Sequence, residues 1–153
     1  MSKLKVTTDA PTDICMVREF DAPKRLVQRA MREPELVKRW LGNSRSPVVS
    51  VAIDWRVGGA YRYAFRLPDG KEFAISGVIR EIDDDRVVMT ESMEGAPGAA
   101  VATTTWVEKA GKTTMTVLLR FESQQMRDMV VRTGMADGAG ESYDNLEKLV
   151  ASL

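Results

Sequence analysis

The feature that most constrains this fold is a series of short apolar segments between residues 47 and 121, each separated from the next by a turn. The turns contain glycine, proline or aspartate, which favour tight chain reversals. Because short turns join neighbouring antiparallel strands, this stretch predicts a meander of about six strands. The predicted strands cover residues 48–57, 60–67, 72–82, 87–93, 100–108 and 113–121.

The segment after the sheet changes from strand to helical periodicity. Apolar residues recur at helical spacing from Gln124 to Leu153, which predicts one long amphipathic helix. Gly134, Gly138 and Gly140 lie within it, and each costs ~1 kcal/mol relative to alanine. That cost indicates a close approach to the sheet, a hollow beneath the helix, or a break that lets a pocket open.

The segment before the sheet predicts an additional strand and two short helices. Residues 14–20 alternate as a half-buried strand with Arg18 on its apolar face. Asp21 is the predicted N-cap of a first short helix, and Pro34 begins a second. Residues 1–12 show no periodicity and predict a loose arm.

These elements together predict an α+β domain over residues 13–153. Its curved antiparallel sheet wraps around the C-terminal helix, and the two short helices follow the first strand. A chain of 153 residues, 44% of them hydrophobic, is large enough to bury a core of this kind.

Composition excludes several kinds of site. The 22 basic and 22 acidic residues balance, so no net charge favours nucleic acid or membrane binding. Histidine is absent, which removes Ser-His-Asp and Cys-His catalysis and histidine-bound metals. One cysteine cannot form an internal disulfide, and no signal sequence or membrane span is evident. We therefore expect a cytoplasmic protein with no metal and no cofactor.

The last predicted hairpin indicates space beneath the sheet. Pairing Glu108 with Thr113 across its turn places Trp106 beside Met115 on one face. Small residues such as Ala102 lie farther along that face and do not fill the interior.

The Gly58-Gly59 turn predicts a polar group inside the domain. A two-residue hairpin there pairs Arg56 with Tyr61 and Asp54 with Tyr63, so all four side chains share one face. Arg56 could then bind a ligand carboxylate or carbonyl in an apolar pocket. The alternative is a structural ion pair between Arg56 and Asp54.

The ordered combination of motifs over residues 14–153 resembles the AHSA group, named for an activator of a heat-shock-protein ATPase. That group belongs to the START-like, or SRPBCC, superfamily. The chain departs from common family patterns at Trp40-Leu41 and Asp84-Asp85. The residues that carry the resemblance are Arg18 to Pro23, Pro34-Glu35-Leu36 with Trp40, Asp54 to Gly59, Gly77-Val78 with Glu81, Thr90-Glu91, and Thr133-Gly134-Met135 with Gly138.

The resemblance implies a helix-grip fold, in which the sheet grips the C-terminal helix around a deep hydrophobic cavity. Side chains expected to line this cavity, or else to form an ordinary core, are Trp106, Met115, Met126, Met129 and Tyr143.

The predicted function is binding of a small, mostly apolar or lipid-like ligand whose polar end lies near Arg56. Tyr61, Tyr63 and Glu91 are further expected ligand-binding residues. A second hypothesis is a cyclase-like or hydrolase-like enzyme using Glu91 or Glu81 with a tyrosine, although these carboxylates could instead pair with arginines. A third is regulation of a chaperone ATPase through a protein partner. The sequence also leaves a homodimer open.

Overall fold

The computed structural model describes residues 3–153, which form eight strands and four helices. In chain order these are β1 (Lys5–Thr7), β2 (Asp13–Phe20), α1 (Lys24–Arg32), α2 (Pro34–Trp40), β3 (Val48–Ile53), β4 (Ala60–Arg66), β5 (Glu72–Asp83), β6 (Arg86–Met93), β7 (Ala100–Lys109), β8 (Lys112–Phe121), α3 (Gln124–Arg132) and α4 (Met135–Val150). In this part of the chain, no helix combines the length and apolar character needed to cross a membrane.

All eight strands form one antiparallel sheet in the order β1-β2-β8-β7-β6-β5-β4-β3. The predicted six-strand meander is confirmed as β3 to β8. Ala110 and Gly111 both have positive φ, as a two-residue hairpin requires. The predicted register there is also confirmed, because Trp106 lies opposite Met115 and Ala102 lies opposite Leu119.

The N-terminal segment is more ordered than its sequence predicts. β1 pairs antiparallel with β2, and Lys5 lies opposite Val17. The buried guanidinium of Arg127 also donates hydrogen bonds to the carbonyl oxygens of Thr8 and Ala10. The predicted arm is therefore partly ordered, and its first two residues lie outside the described part of the chain.

The predicted register at Gly58-Gly59 is wrong. Tyr61 lies opposite Ile53, not Arg56, so its partner is displaced by three positions. An odd displacement turns one strand over relative to the other. Residues 54–59 form a longer connection, and a Cβ on Gly59 would lie 2.0 Å from the carbonyl oxygen of Asp54. The turn thus needs glycine, but not for a two-residue hairpin.

Two helix predictions also need correction. Pro23, not Asp21, is the N-cap of α1, and no side chain caps that helix. The backbone N–H of Asp21 donates instead to the carboxylate of Glu147. The C-terminal segment is two helices, because Gly134 adopts a left-handed conformation with φ of 77° between α3 and α4.

The end of α4 is held against β2 by a buried arginine and an apolar surface. Arg18 is 1% exposed, donates to the carboxylate of Asp144 at 2.7 Å, and lies over the ring of Phe20. Leu146 and Val150 of α4 are fully or almost fully buried. This anchoring places the preceding turns of α4 over the inner face of the sheet.

Candidate functional site

A carboxylate stands on the inner face of the sheet between two very small residues. Register places Glu91 of β6 opposite Ala100 of β7, which in turn lies opposite Phe121. On the other side, the β5–β6 register brings Gly77 opposite Glu91, and Gly77 lies opposite Tyr61. A glycine and an alanine therefore flank Glu91 and leave room around its side chain.

The backbone requires glycine at position 77. A Cβ on Gly77 would lie 1.9 Å from the carbonyl oxygen of Thr90, which is far inside any allowed contact. That carbonyl accepts a 2.5 Å hydrogen bond from the Tyr61 hydroxyl, and the Thr90 hydroxyl accepts one from the N–H of Val78. Tyr61 is thus held in place, and its hydroxyl is already used.

All three tyrosines of the chain lie near Glu91. Tyr61 and Tyr63 are neighbours on β4, with ring centroids 5.1 Å apart. Tyr143 comes from α4 and packs against Trp40 at 5.9 Å and Phe20 at 6.4 Å. The sheet and the C-terminal helix therefore both contribute to one group of polar aromatic side chains, which we call the Glu91 cluster: Tyr61, Tyr63, Glu91 and Tyr143.

Electrostatics couple the members of this cluster. Desolvation raises the pKa of Glu91 from 4.5 to about 6. Burial raises the pKa of Tyr63 and of Tyr143, and the negative charge of Glu91 raises both further. Glu91 nevertheless keeps part of its accessible surface. Glu91 is therefore desolvated yet partly accessible, and we call the space that Gly77 and Ala100 leave beside its side chain the recess.

The apolar side chains of β3 to β6 are buried to different degrees. Tyr61, Ile79 and Val87 are at most 3% exposed, whereas other apolar side chains of these strands touch the core yet stay partly accessible. We call β3 to β6, the connection from β3 to β4 and the first half of α4 the open half. Its partly accessible residues are Val51, Ile53, Trp55, Tyr63, Ile75, Ile82, Met89, Met135 and Ala139, and Met126 and Val130 of α3 are partly accessible as well.

Two surface clefts lie elsewhere. One of about 260 Å³ is lined by Arg39, Asn145, Lys148, Leu149 and Ser152. The other, of about 310 Å³, is lined by Lys3, Lys5, Val17, Glu19 and Thr114. Neither contains a member of the Glu91 cluster. The deep cavity that the resemblance implies therefore stays a prediction.

The structure groups some of the predicted site residues and separates others. Tyr61, Tyr63, Glu91 and Tyr143 come together as the Glu91 cluster. Met126 is partly buried, and its side chain approaches Gly98.

Trp106 and Met115 lie deep in the other half of the sheet, where each is at most 3% exposed. We call β2, β7 and β8, with α1, α2 and the end of α4, the closed half. Both residues therefore follow the alternative of ordinary core packing.

The structure places three of the candidate residues outside the Glu91 cluster, two of them in the ion pairs that the sequence offered as the alternative. Arg56 is an exposed partner of Asp54 at 2.8 Å, because the three-residue register difference moves it out of the sheet. Met129 is 56% exposed, because it lies on the outer side of α3. Glu81 pairs with Arg86 at 3.0 Å on the exposed surface, next to an irregularity in β5 that breaks strand alternation.

Sequence reasoning missed the apolar walls on the first strands of the meander. Val51 and Ile53 lie opposite Tyr63 and Tyr61 on the inner face. Their alternation was visible in the sequence, but the assumed two-residue turn assigned that face to Asp54 and Arg56. If a longer turn had been assumed, Val51 and Ile53 would have been placed on the inner face.

Comparison with known proteins places this fold in a family. Residues 10–151 match the family model described as activator of Hsp90 ATPase homolog 1-like protein. The chain belongs to this family. A comparison with curated proteins found no match.

Solved structures share the fold at low sequence identity. A protein from Rhodobacter sphaeroides is 21% identical with a TM-score of 0.92, and the match covers 99% of each chain. One from Nitrosomonas europaea is 26% identical with a TM-score of 0.84, covering 95% of this chain and 97% of the other. One from Arthrobacter aurescens is 24% identical with a TM-score of 0.86, covering 97% and 92%. These confirm the helix-grip architecture.

Proposed function

We propose that the protein binds a small, mostly apolar molecule between the open half of the sheet and the helices above it. The observation that carries this proposal is the set of inward-facing apolar side chains that remain partly accessible around the Glu91 cluster. Recesses with apolar walls and a few convergent polar groups are typical ligand sites. Membership of the family, whose fold places a sheet around a C-terminal helix, supports the same function.

Binding would draw on burial of apolar surface and on one polar anchor. Removing apolar surface from water contributes roughly 25 cal/mol per Å² before the costs of association. Glu91 and the hydroxyls of Tyr63 and Tyr143 would orient the ligand's polar end. This anchor replaces Arg56, whose side chain is exposed outside the sheet.

Fluorescence of a neutral apolar probe tests this proposal. N-phenyl-1-naphthylamine should brighten on binding the native protein, because its emission rises in apolar surroundings. Ala139→Phe should reduce binding at least about tenfold by filling the recess. Ala96→Phe adds the same ring at an exposed position and should bind like the native protein. Equal binding by both variants would contradict the proposal.

Native mass spectrometry gives a second readout that needs no chosen probe. Protein purified from its own host should carry an additional small mass that is lost on denaturation. That mass would identify the natural ligand class. The Ala139→Phe variant, expressed in the same host, should carry less of it than Ala96→Phe.

A second candidate function is proton transfer by Glu91. It is favoured by a carboxyl with a pKa of about 6 beside tyrosine hydroxyls, since a base near the working pH is the most effective. Glu91 would take a proton from a carbon next to a carbonyl, and a tyrosine would donate a hydrogen bond to the resulting enolate oxygen. Exchange of the α-hydrogens of phenylacetone in D₂O tests this directly. No acceleration over a Glu91→Gln control would remove the hypothesis.

The chaperone hypothesis has a weaker basis. It comes from the name of the family, and shared ancestry does not identify a site. A pull-down of native-host proteins with the folded chain would test it.

A further inference from the structure

We infer that the ligand carries a protonated amine on an apolar body, and that Glu91 is its counter-ion. The inference rests on the proposed function, because it specifies the polar end of the molecule that occupies the same recess. Three observations carry it: the uncompensated charge of Glu91, the free space beside it, and the aromatic rings around it.

The first observation is that Glu91 has no cationic partner in the protein. None of the ion pairs within residues 3–153 includes it. Two arginines of the same part of the sheet pair with other carboxylates: Arg62 with Glu94, and Arg86 with Glu81. A partly buried carboxylate is costly without a partner, so a cation supplied by the ligand would relieve a real penalty.

The second observation is that the sheet leaves room for such a partner. Gly77 and Ala100 flank Glu91 on the neighbouring strands and place almost no side chain beside the carboxylate. An ammonium group could approach there without displacing a large residue. Because position 77 admits no Cβ, the space cannot be filled by a simple substitution.

The third observation is the composition of the surrounding groups. The titratable side chains whose pKa the charge of Glu91 raises are Tyr61 and Tyr63 from β4 and Tyr143 from α4, all of them neutral at physiological pH. Aromatic faces attract cations, and phenol oxygens accept hydrogen bonds from ammonium groups. Desolvation is the one cause that shifts the Glu91 pKa, so no basic group in the cluster offsets its charge. An anionic ligand would meet repulsion here.

Calorimetric titration with two matched probes tests the inference. We would titrate 2-phenylethylamine and 2-phenylethanol, which share an apolar body, into the native protein at about pH 8. A charge-assisted hydrogen bond contributes roughly 1.5–3 kcal/mol, so the amine should bind at least about tenfold more tightly than the alcohol. At about pH 5 Glu91 is protonated while the amine remains charged, so the preference should shrink.

Two variants separate Glu91 from general electrostatics. Glu91→Gln should remove the amine preference, so that the amine and the alcohol bind this variant with similar affinities. Glu81→Gln removes an exposed carboxylate that pairs with Arg86 and should keep the preference. Equal affinities for both probes in the native protein would overturn the inference and leave the proposed function standing. Failure of both probes and of N-phenyl-1-naphthylamine to bind would overturn the proposed function itself.

Discussion

The two halves of the sheet bury their inner faces to different degrees. In the closed half, inward residues such as Ile14, Phe20 and Met115 are at most 1% exposed. In the open half, Ile53 and Met89 occupy equivalent inward positions but remain partly accessible, although Ile79 opposite Met89 is fully buried. One continuous sheet thus combines a packed core with a surface that is apolar but incompletely covered.

The α4 helix differs along its length in a similar way. Its end contributes large buried side chains such as Leu146, whereas its first half carries glycines at positions 138 and 140 instead of such side chains. The α3 helix packs against β2 and β8. A Cβ on Gly140 would meet no atom within 4 Å, whereas one on Gly138 would lie 2.8 Å from the amide nitrogen of Asn43. Gly138 thus permits a close approach to the Asn43 side chain, and Gly140 adjoins open space.

The largest expected effect comes from truncating matched methionines in the two halves. Met115→Ala should lower the free energy of unfolding by roughly 2–5 kcal/mol, because it opens a cavity in a packed core. Met135→Ala, in the open half, should cost less than about 1 kcal/mol, because that side chain is only partly packed. Urea unfolding measures both. Equal losses would break the distinction between the halves.

A second comparison sets two glycines of the open half against each other. Gly77→Ala should destabilise by at least about 1–3 kcal/mol, because its Cβ would collide with the Thr90 carbonyl. Gly140→Ala should be neutral or stabilising by up to about 1 kcal/mol, since its surroundings are empty and alanine favours the helix. Thermal unfolding measures the stability of the two variants. A destabilised Gly140→Ala would argue against open space beside Gly140.

The pH dependence of stability tests the recess around Glu91. Its folded pKa of about 6 exceeds the ordinary 4.5, so the native state binds the proton more tightly than the unfolded state. Stability from this group is therefore present below about pH 4.5 and is lost as pH rises through about 6. Relative to Glu91→Gln, the native protein should lose on the order of 1–2 kcal/mol between pH 4.5 and pH 7. A constant difference across that range would contradict a desolvated carboxyl.

The smallest effect should come from the residue that the sequence placed in the pocket. Arg56→Ala removes an exposed ion pair with Asp54 and should change the free energy of unfolding by no more than about 0.5 kcal/mol. Binding of N-phenyl-1-naphthylamine should not change. If Arg56→Ala weakens binding relative to the Ala96→Phe control, Arg56 is part of the binding site.

The sequence predicted the architecture well because strand alternation and short turns are local signals. The β7–β8 register followed from a turn of two residues with positive φ, so its cross-strand pairs were correct. At residues 54–59 the same reasoning failed, because two adjacent glycines belonged to a longer connection. That single error exchanged Ile53 for Asp54 on the inner face and put Arg56 in the predicted site.

Other parts of the site depended on contacts between distant segments, which no local pattern contains. Tyr143 reaches Tyr63 and Glu91 only after α4 crosses the sheet. The sequence identified Tyr63, Glu91 and Tyr143 as candidates. It did not show that they form a group separate from Trp106 and Met115. The break at Gly134 was among the alternatives that the helix glycines suggested.

The most direct test of the open half as a binding space is methyl NMR mapping with the neutral probe 2-phenylethanol. The largest chemical-shift changes should occur at Val51, Ile53, Ile75 and Met89, with little change at Ile14 and Leu119 of the closed half. Changes centred on the closed half, or on Leu149 at the surface cleft beside α4, would contradict this expectation.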